Sequence, residues 1–160
     1  MIDDATRSEF RDAIRRALEP YPETLGVTKG AKVTVEAVRQ LFAVARDNGW
    51  LSLATPEEQG GLGLGMEGAA VLAVEIGRAA APGPFLGNAV LLPMLARIPG
   101  GEPFATCLDA VLAGERLATI GVSAGFDGDA RVLVEHAAGA TDVIRRRESA
   151  PRTEAGVSRS

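Results

Sequence analysis

A chain of 160 residues that is 46% hydrophobic but only 4% aromatic holds enough apolar material for one domain core, of a kind suited to closely packed helices. Its formal charge of −4 argues against a nucleic-acid partner and is uneven, since residues 145–160 hold five Arg and two Glu, or +3, leaving −7 on residues 1–144. A single cysteine, Cys107, excludes an internal disulfide and fits a reducing compartment. With His136 the one histidine, no Cys/His zinc cluster can be built and no metal site is expected.

The N-terminus has no basic stretch leading into an apolar run, so no secretory signal is expected and the protein reads as cytoplasmic. Thr6-Arg7-Ser8-Glu9 has the spacing of a capping box, and Phe10, Ala13, Ile14, Ala17 and Leu18 follow at helical period until Pro20. The other face carries Arg7, Arg11, Asp12, Arg15 and Arg16, which is either a solvated face or a contact for phosphate or a partner. Residues 20–33 read as a connector. Thr34 then caps a second helix with Val35, Val38, Leu41, Phe42 and Ala45 on its apolar side, closed by Asn48-Gly49.

Gly49 to Pro84 organises the chain. Trp50-Leu51-Ser52-Leu53 is a short apolar run, Pro56 opens a turn, and Gly60, Gly61, Gly63 and Gly65 alternate with Leu62 and Leu64. So dense a glycine cluster predicts positive φ angles or close backbone approach. The third helix, about Met66 to Ala80, is apolar around most of its circumference, interrupted by Glu67, Glu75 and Arg78, and is expected to be wedged at the centre of the core. Ala79 to Ala96 carries no charge for eighteen residues, yet Pro82, Pro84 and Pro93 forbid one continuous membrane-spanning helix. A fourth helix is expected within Phe85–Ile98, bent or shortened at Pro93. A fifth has Pro103 at its first position, then Phe104, Cys107, Leu108, Val111 and Leu112, with Gly114 past its end. Cys107 on that stripe reads as a buried small hydrophobe. Leu117–Val122 and Val132–Val134 are strand-capable, with turn material between, and from Arg145 the chain reads as disordered.

Candidate chemistry is sparse. Gly63-Leu-Gly65-Met-Glu-Gly68 matches G-x-G-x-x-G in form, but a Pro-Glu-Glu-Gln-Gly-Gly turn stands where a dinucleotide loop needs a strand. Glu57 and Glu58 are adjacent and so point apart, which suits solvated turn residues better than acid–base work. Glu75 and Arg78, three apart, read as a local ion pair. His136 has no evident orienting partner.

The order Gly-Trp-Leu, Pro-Glu-Glu-x-Gly-Gly-Leu-Gly-Leu, Glu67, Glu75-Ile76-Gly77-Arg78 and Ala81-Pro82-x-Pro84-Phe85-Leu86 resembles the N-terminal helical domain of the flavin-dependent acyl-CoA dehydrogenases, over roughly Val33 to Leu117. The resemblance implies a mainly α fold: a five-helix N-terminal domain (1–114), a β-capable remnant of the start of the middle β domain (115–144) and a disordered tail (145–160). It implies FAD-dependent α,β-dehydrogenation of acyl-CoA thioesters, with FAD held mainly by middle and C-terminal domains and a glutamate base usually from the latter. By this likeness Phe85, Leu86 and Leu91 are candidates to line the acyl tail, plain core packing being the other reading. Gly121-Val122-Ser123-Ala124-Gly125 departs from the family's acidic residue and Gly-Ser/Thr-Asp loop. No catalytic residue and no cofactor-binding residue is therefore assigned. The chain is expected to be inactive alone and to act as a homo-oligomer or with a complementary acyl-CoA dehydrogenase subunit. The alternative is a non-catalytic helical module that binds a protein or an acyl chain.

Overall fold

In the computed structural model, which describes residues 2–21, 33–123, 132–134, 139–149 and 152–159, the protein is mainly α. Helix α1 (Asp4–Leu18) starts earlier than the capping-box spacing predicts. The Asp3 carboxylate accepts the Thr6 amide at 2.7 Å, so Thr6 lies inside the first turn rather than before it. An aspartate caps at least as well as a threonine and stands closer to the chain's start. Helix α2 (Val35–Asp47) follows the expected pattern. Thr34 Oγ1 accepts the Ala37 amide at 3.1 Å, and Val38, Leu41, Phe42 and Ala45 are buried. Gly49, at φ 72°, turns the chain out of it.

The apolar run that follows is core. Trp50–Ser52 forms a 3-10 turn in which Trp50 and Leu51 are buried, as is Leu53. The glycine-rich loop folds back on this turn by four backbone hydrogen bonds: Gly61 to Pro56, Leu62 to Ser52, Gly63 to Thr55 and Gly65 to Leu53, all 3.0–3.1 Å. A Cβ at position 61 would stand 2.0 Å from the Thr55 carbonyl oxygen, so only glycine permits this approach. The loop therefore delivers helix α3 (Gly65–Ala79) at a fixed position.

Helix α3 is not wedged on every side. Gly68, Ala69, Val71, Leu72 and Glu75 are buried, but Met66 is 64% and Val74 58% exposed. An apolar face reports a preference for leaving water; it does not report whether protein fills the space opposite. Beyond α3, Phe85 and Leu86 begin a helix that opens into a π turn over Gly87–Leu91 before α4 (Leu92–Ala96). Pro93 explains the widening. Proline has no N–H, and its ring clashes with the carbonyl four residues back, whereas the π turn shifts that register. The Leu92 amide accordingly donates to Gly87 O, five residues back. Helix α5 (Glu102–Leu112) begins one residue before the expected Pro103 start, since proline's missing N–H is tolerated anywhere in the first turn, and Phe104, Cys107 and Val111 are buried as expected. Burial raises the Cys107 thiol pKa, as expected of a packed small hydrophobe rather than a reactive thiol.

Four described strands follow: β1 (Ala118–Ser123), β2 (Val132–Val134), β3 (Asp142–Ser149) and β4 (Arg152–Arg159), in the order β2-β1-β3-β4. The two strand-capable segments pair antiparallel as β1 and β2, with Val122 opposite Leu133. Strand β3 runs parallel to β1 and antiparallel to β4. The backbone pairing of β3 and β4 takes in residues 145–149 and 152–159 of the tail. Its pairing is by backbone, which apolar periodicity does not report. The register sets Ile144 opposite Val157 and Asp142 opposite Arg159. The sheet joins the helices through Leu117, Ala118 and Ile144, all in the core cluster. At the joint Thr141 Oγ1 accepts the Leu117 amide at 2.9 Å, and Arg116 lies 3.5 Å from the buried Asp142. His136 lies outside the described residues.

Candidate functional site

The open face of α3 becomes the wall of a cavity. Ala69, Ala70 and Ala73 present a shallow surface with Met66 at its edge; Leu86, Gly87, Val90 and Leu91 from the π segment stand opposite, and Ile120 of β1 completes the lining. Its volume, about 420 Å³, falls in the range of small-molecule sites, and no lining side chain is charged or carries a hydrogen-bonding group. It can hold an apolar body and keep water from it, and nothing more polar.

The π segment is held in place by a residue that sequence reasoning passed over. Asn88 is fully buried, and its Nδ2 donates to Pro84 O at 2.8 Å and to Ala118 O at 2.6 Å, tying the segment to β1. Its Oδ1 has no hydrogen-bond partner. The signal was present, because Asn88 is the sole amide side chain in the eighteen-residue charge-free stretch, and a buried polar group has to earn its place by bonding.

Of the candidate acyl-lining residues, the structure brings two together. Leu86 and Leu91, 48% and 37% exposed, both line the cavity. Phe85 does not. It is 2% exposed and packs in the core with its ring 6.5 Å from that of Phe42, because the residue that starts the helix points inward while its successor points out.

On the other flank of α3 lies a second concavity of about 470 Å³, lined by Arg15, Arg16, Leu18, Glu19, Glu75, Arg78 and Ala79. Glu75 was expected to pair with Arg78. Its closest partner is Arg15 of α1, whose Nε and a terminal nitrogen donate to the two carboxylate oxygens at 2.8 and 3.0 Å, while Arg11 and Arg78 stand at 3.8 Å. The two-pronged Arg15 bond reaches a buried carboxylate that the i,i+3 neighbour cannot reach as well. It holds the Glu75 pKa below the ordinary glutamate value against the opposing effect of burial. The basic face of α1 is thus partly engaged by α3.

The remaining motifs carry no site. Glu57 and Glu58 are exposed in a 3-10 turn. The G-x-G-x-x-G match enters α3 from the folded-back loop with no strand before it. Among the described residues no cluster of His, Cys, Asp and Glu could hold a metal ion, and no helix is long and apolar enough to cross a membrane.

Comparison with known proteins settles the kinship of this cavity-bearing helical unit, for the family description "Acyl-CoA dehydrogenase, N-terminal domain" matches residues 3–115. The chain belongs to the acyl-CoA dehydrogenase family. Three solved structures share its fold. The Tcur3481–Tcur3483 steroid ACAD and its G363A variant align with TM-scores of 0.68 and 0.70 at 22% and 20% identity. The ChsE4–ChsE5 complex from Mycobacterium tuberculosis aligns at 0.69 and 18%. The alignments take in 97–99% of this chain, extending past α5 into the strands, but 48% of each relative. The chain therefore spans about half the length of the structures it resembles. No curated protein matches it in sequence.

Proposed function

We propose that this chain forms the acyl-pocket wall of an acyl-CoA dehydrogenase, and that FAD and the catalytic base are supplied by a complementary subunit. The observation that carries this reading is the cavity between α3 and the π segment: roomy enough for a small apolar ligand and free of charged or hydrogen-bonding side chains. Its part in α,β-dehydrogenation of an acyl-CoA is to bind the apolar acyl body, orient it and exclude water. The family reaction also needs a carboxylate to take a proton, and none lines the cavity. Glu75, the buried carboxylate of α3, faces the other flank and is kept ionised by Arg15, which makes it a poor proton acceptor.

FAD would supply the hydride acceptor, but these residues do not fit it. A flavin's polar ring edge and pyrophosphate call for hydrogen-bond donors and positive charge, and the lining of Met66, three alanines, leucines, Val90 and Ile120 offers neither. A partner is the consistent source, and the titles of the similar structures name two-component proteins. Those titles also name a steroid ACAD, which favours a bulky acyl group over the straight-chain substrates of fatty acid metabolism. On this reading residues 1–114 are the helical domain, residues 115–144 begin the β domain, and the assembly works in the cytoplasm.

The test is flavin colour and turnover. Purified alone with added FAD, the chain is expected to give no substrate-dependent flavin bleaching with a steroid-acid CoA thioester or decanoyl-CoA. Co-expressed with a candidate complementary subunit, it is expected to give bleaching. Bleaching by the chain alone would overturn the proposal. Acyl-CoA binding that never leads to bleaching with any partner would favour the second reading, a non-catalytic acyl-binding module, which the same cavity supports.

A further inference from the structure

The geometry points to Gly87 and Ile120 as a paired gate that sets how broad an apolar body the α3–π cavity accepts; this rests on the cavity being the acyl site proposed above. Both residues line the cavity, one from the π segment and one from β1. A Cβ built on Gly87 would lie 2.9 Å from Ile120 Cδ1 and 3.3 Å from Cγ1, so the two elements touch at this point with no room for a methyl group. Backbone torsion does not demand glycine here, because Gly87 is not among the residues with positive φ. What glycine provides at this position is space.

The contact is made by the flexible end of Ile120 rather than by backbone. A methyl at position 87 would therefore be accommodated by moving that end, and the open volume beside it is the cavity itself. On the facing wall Ala69, Ala70 and Ala73 have no side-chain reach with which to compensate. The Asn88 bonds to Pro84 O and Ala118 O keep the π segment from backing away. With both walls held, the width at the pinch is decided by how many carbons positions 87 and 120 place there. A linear acyl chain can pass a narrowed slot. A fused-ring body presents its full breadth to it and is selected by this pair.

The experiment uses the purified full chain, the neutral fluorescent probe N-phenyl-1-naphthylamine in the cavity, and two competitors: decanoyl-CoA and a CoA thioester of a four-ring steroid acid. In G87A, competition by the ring thioester is expected to weaken by about tenfold relative to decanoyl-CoA, the weight of a methyl or two of overpacking. I120V deletes Cδ1 alone and keeps a β-branched residue in the strand; the ring thioester is expected to compete as well as in wild type or better. The double variant G87A/I120V is expected to restore the wild-type ratio, because one methyl replaces the other. I120F narrows the pinch from the strand side and is expected to reproduce G87A without touching the π segment, with thermal melts showing each variant folded. Equal weakening for both competitors, or a double variant no better than G87A, overturns the gate while leaving the site reading intact. Failure of either competitor to displace the probe from wild type overturns both.

Discussion

The two flanks of α3 show how one helix can be half scaffold and half surface. Toward α1 it offers Glu75, buried at 3% exposure and clasped by Arg15 with Arg11 and Arg78 behind. Toward the π segment it offers Met66, Ala69, Ala70 and Ala73, against which no other side chain is packed tightly enough to fill the space. The first flank is polar and closed over Glu75, with a concavity of about 470 Å³ beside it; the second is apolar and open. This inverts the usual arrangement of a helix in water. An apolar face left open costs stability unless something covers it, whereas a buried carboxylate needs its partner at all times. The difference teaches that the closed flank ties α3 to α1 through a buried ion pair, while the open flank leaves apolar space beside the same helix.

The core side of α3 tests the scaffold half most strongly. Leu72 is fully buried, and L72A is expected to destabilise the fold by about 2–5 kcal/mol, read as a drop in the chemical-denaturation midpoint. A loss well under 1 kcal/mol would mean that the α3 core contact is not as packed as described. Next in size, N88A should cost about 1–3 kcal/mol, because it removes both Nδ2 bonds, taking from Ala118 O its tether to the π segment and leaving Pro84 O only the residue-88 amide at 3.3 Å. It should also release the π segment, seen as faster amide exchange at residues 87–91. Unchanged exchange would refute the tether.

The closed flank is sharpened by pH. The folded-state pKa of Glu75 is lowered, first by the Arg15 hydrogen bond, so its contribution to stability is in full force above the ordinary glutamate value and disappears as pH falls through the depressed folded value. E75Q is expected to cost about 1 kcal/mol at neutral pH, discounted because Arg15 is nearly half in solvent, and to flatten the acid-side slope of stability against pH. A slope identical to wild type would show that the pair is not ionically coupled. The smallest stability effect belongs to the open flank. M66Q changes an exposed side chain and should leave stability within about 0.5 kcal/mol while weakening retention of N-phenyl-1-naphthylamine several-fold. A marked loss of stability without loss of probe binding would exchange the roles assigned to the two flanks.

Much of the fold was legible because helices announce themselves by period. Val38, Leu41, Phe42 and Ala45 on α2, and Phe104, Cys107 and Val111 on α5, are buried as their spacing predicts. The glycine cluster predicted tight backbone geometry, and Gly61 against Thr55 shows the reason. The cavity was only half legible. Leu86 and Leu91 reach it, yet Phe85 beside them turns into the core, since adjacent residues near a helix start differ by about a quarter turn and hydrophobicity does not say which one faces in. The Asn88–Ala118 tether and the Arg15–Glu75 pair could not be matched up from the sequence, for a related reason. Their partners lie 30 and 60 residues away in the chain, where no local pattern connects them.

Sequence by itself determined the helices, the cap of α2, the glycine loop and the family likeness, because each depends on residues within a turn or two of one another or on motif order. Tertiary structure alone decided which apolar face would meet protein and which would remain open. It also decided which arginine reached Glu75 and how Pro93 was absorbed by a π turn. Burial and long-range hydrogen bonding depend on what stands opposite a residue, and a chain read in one dimension has no opposite side.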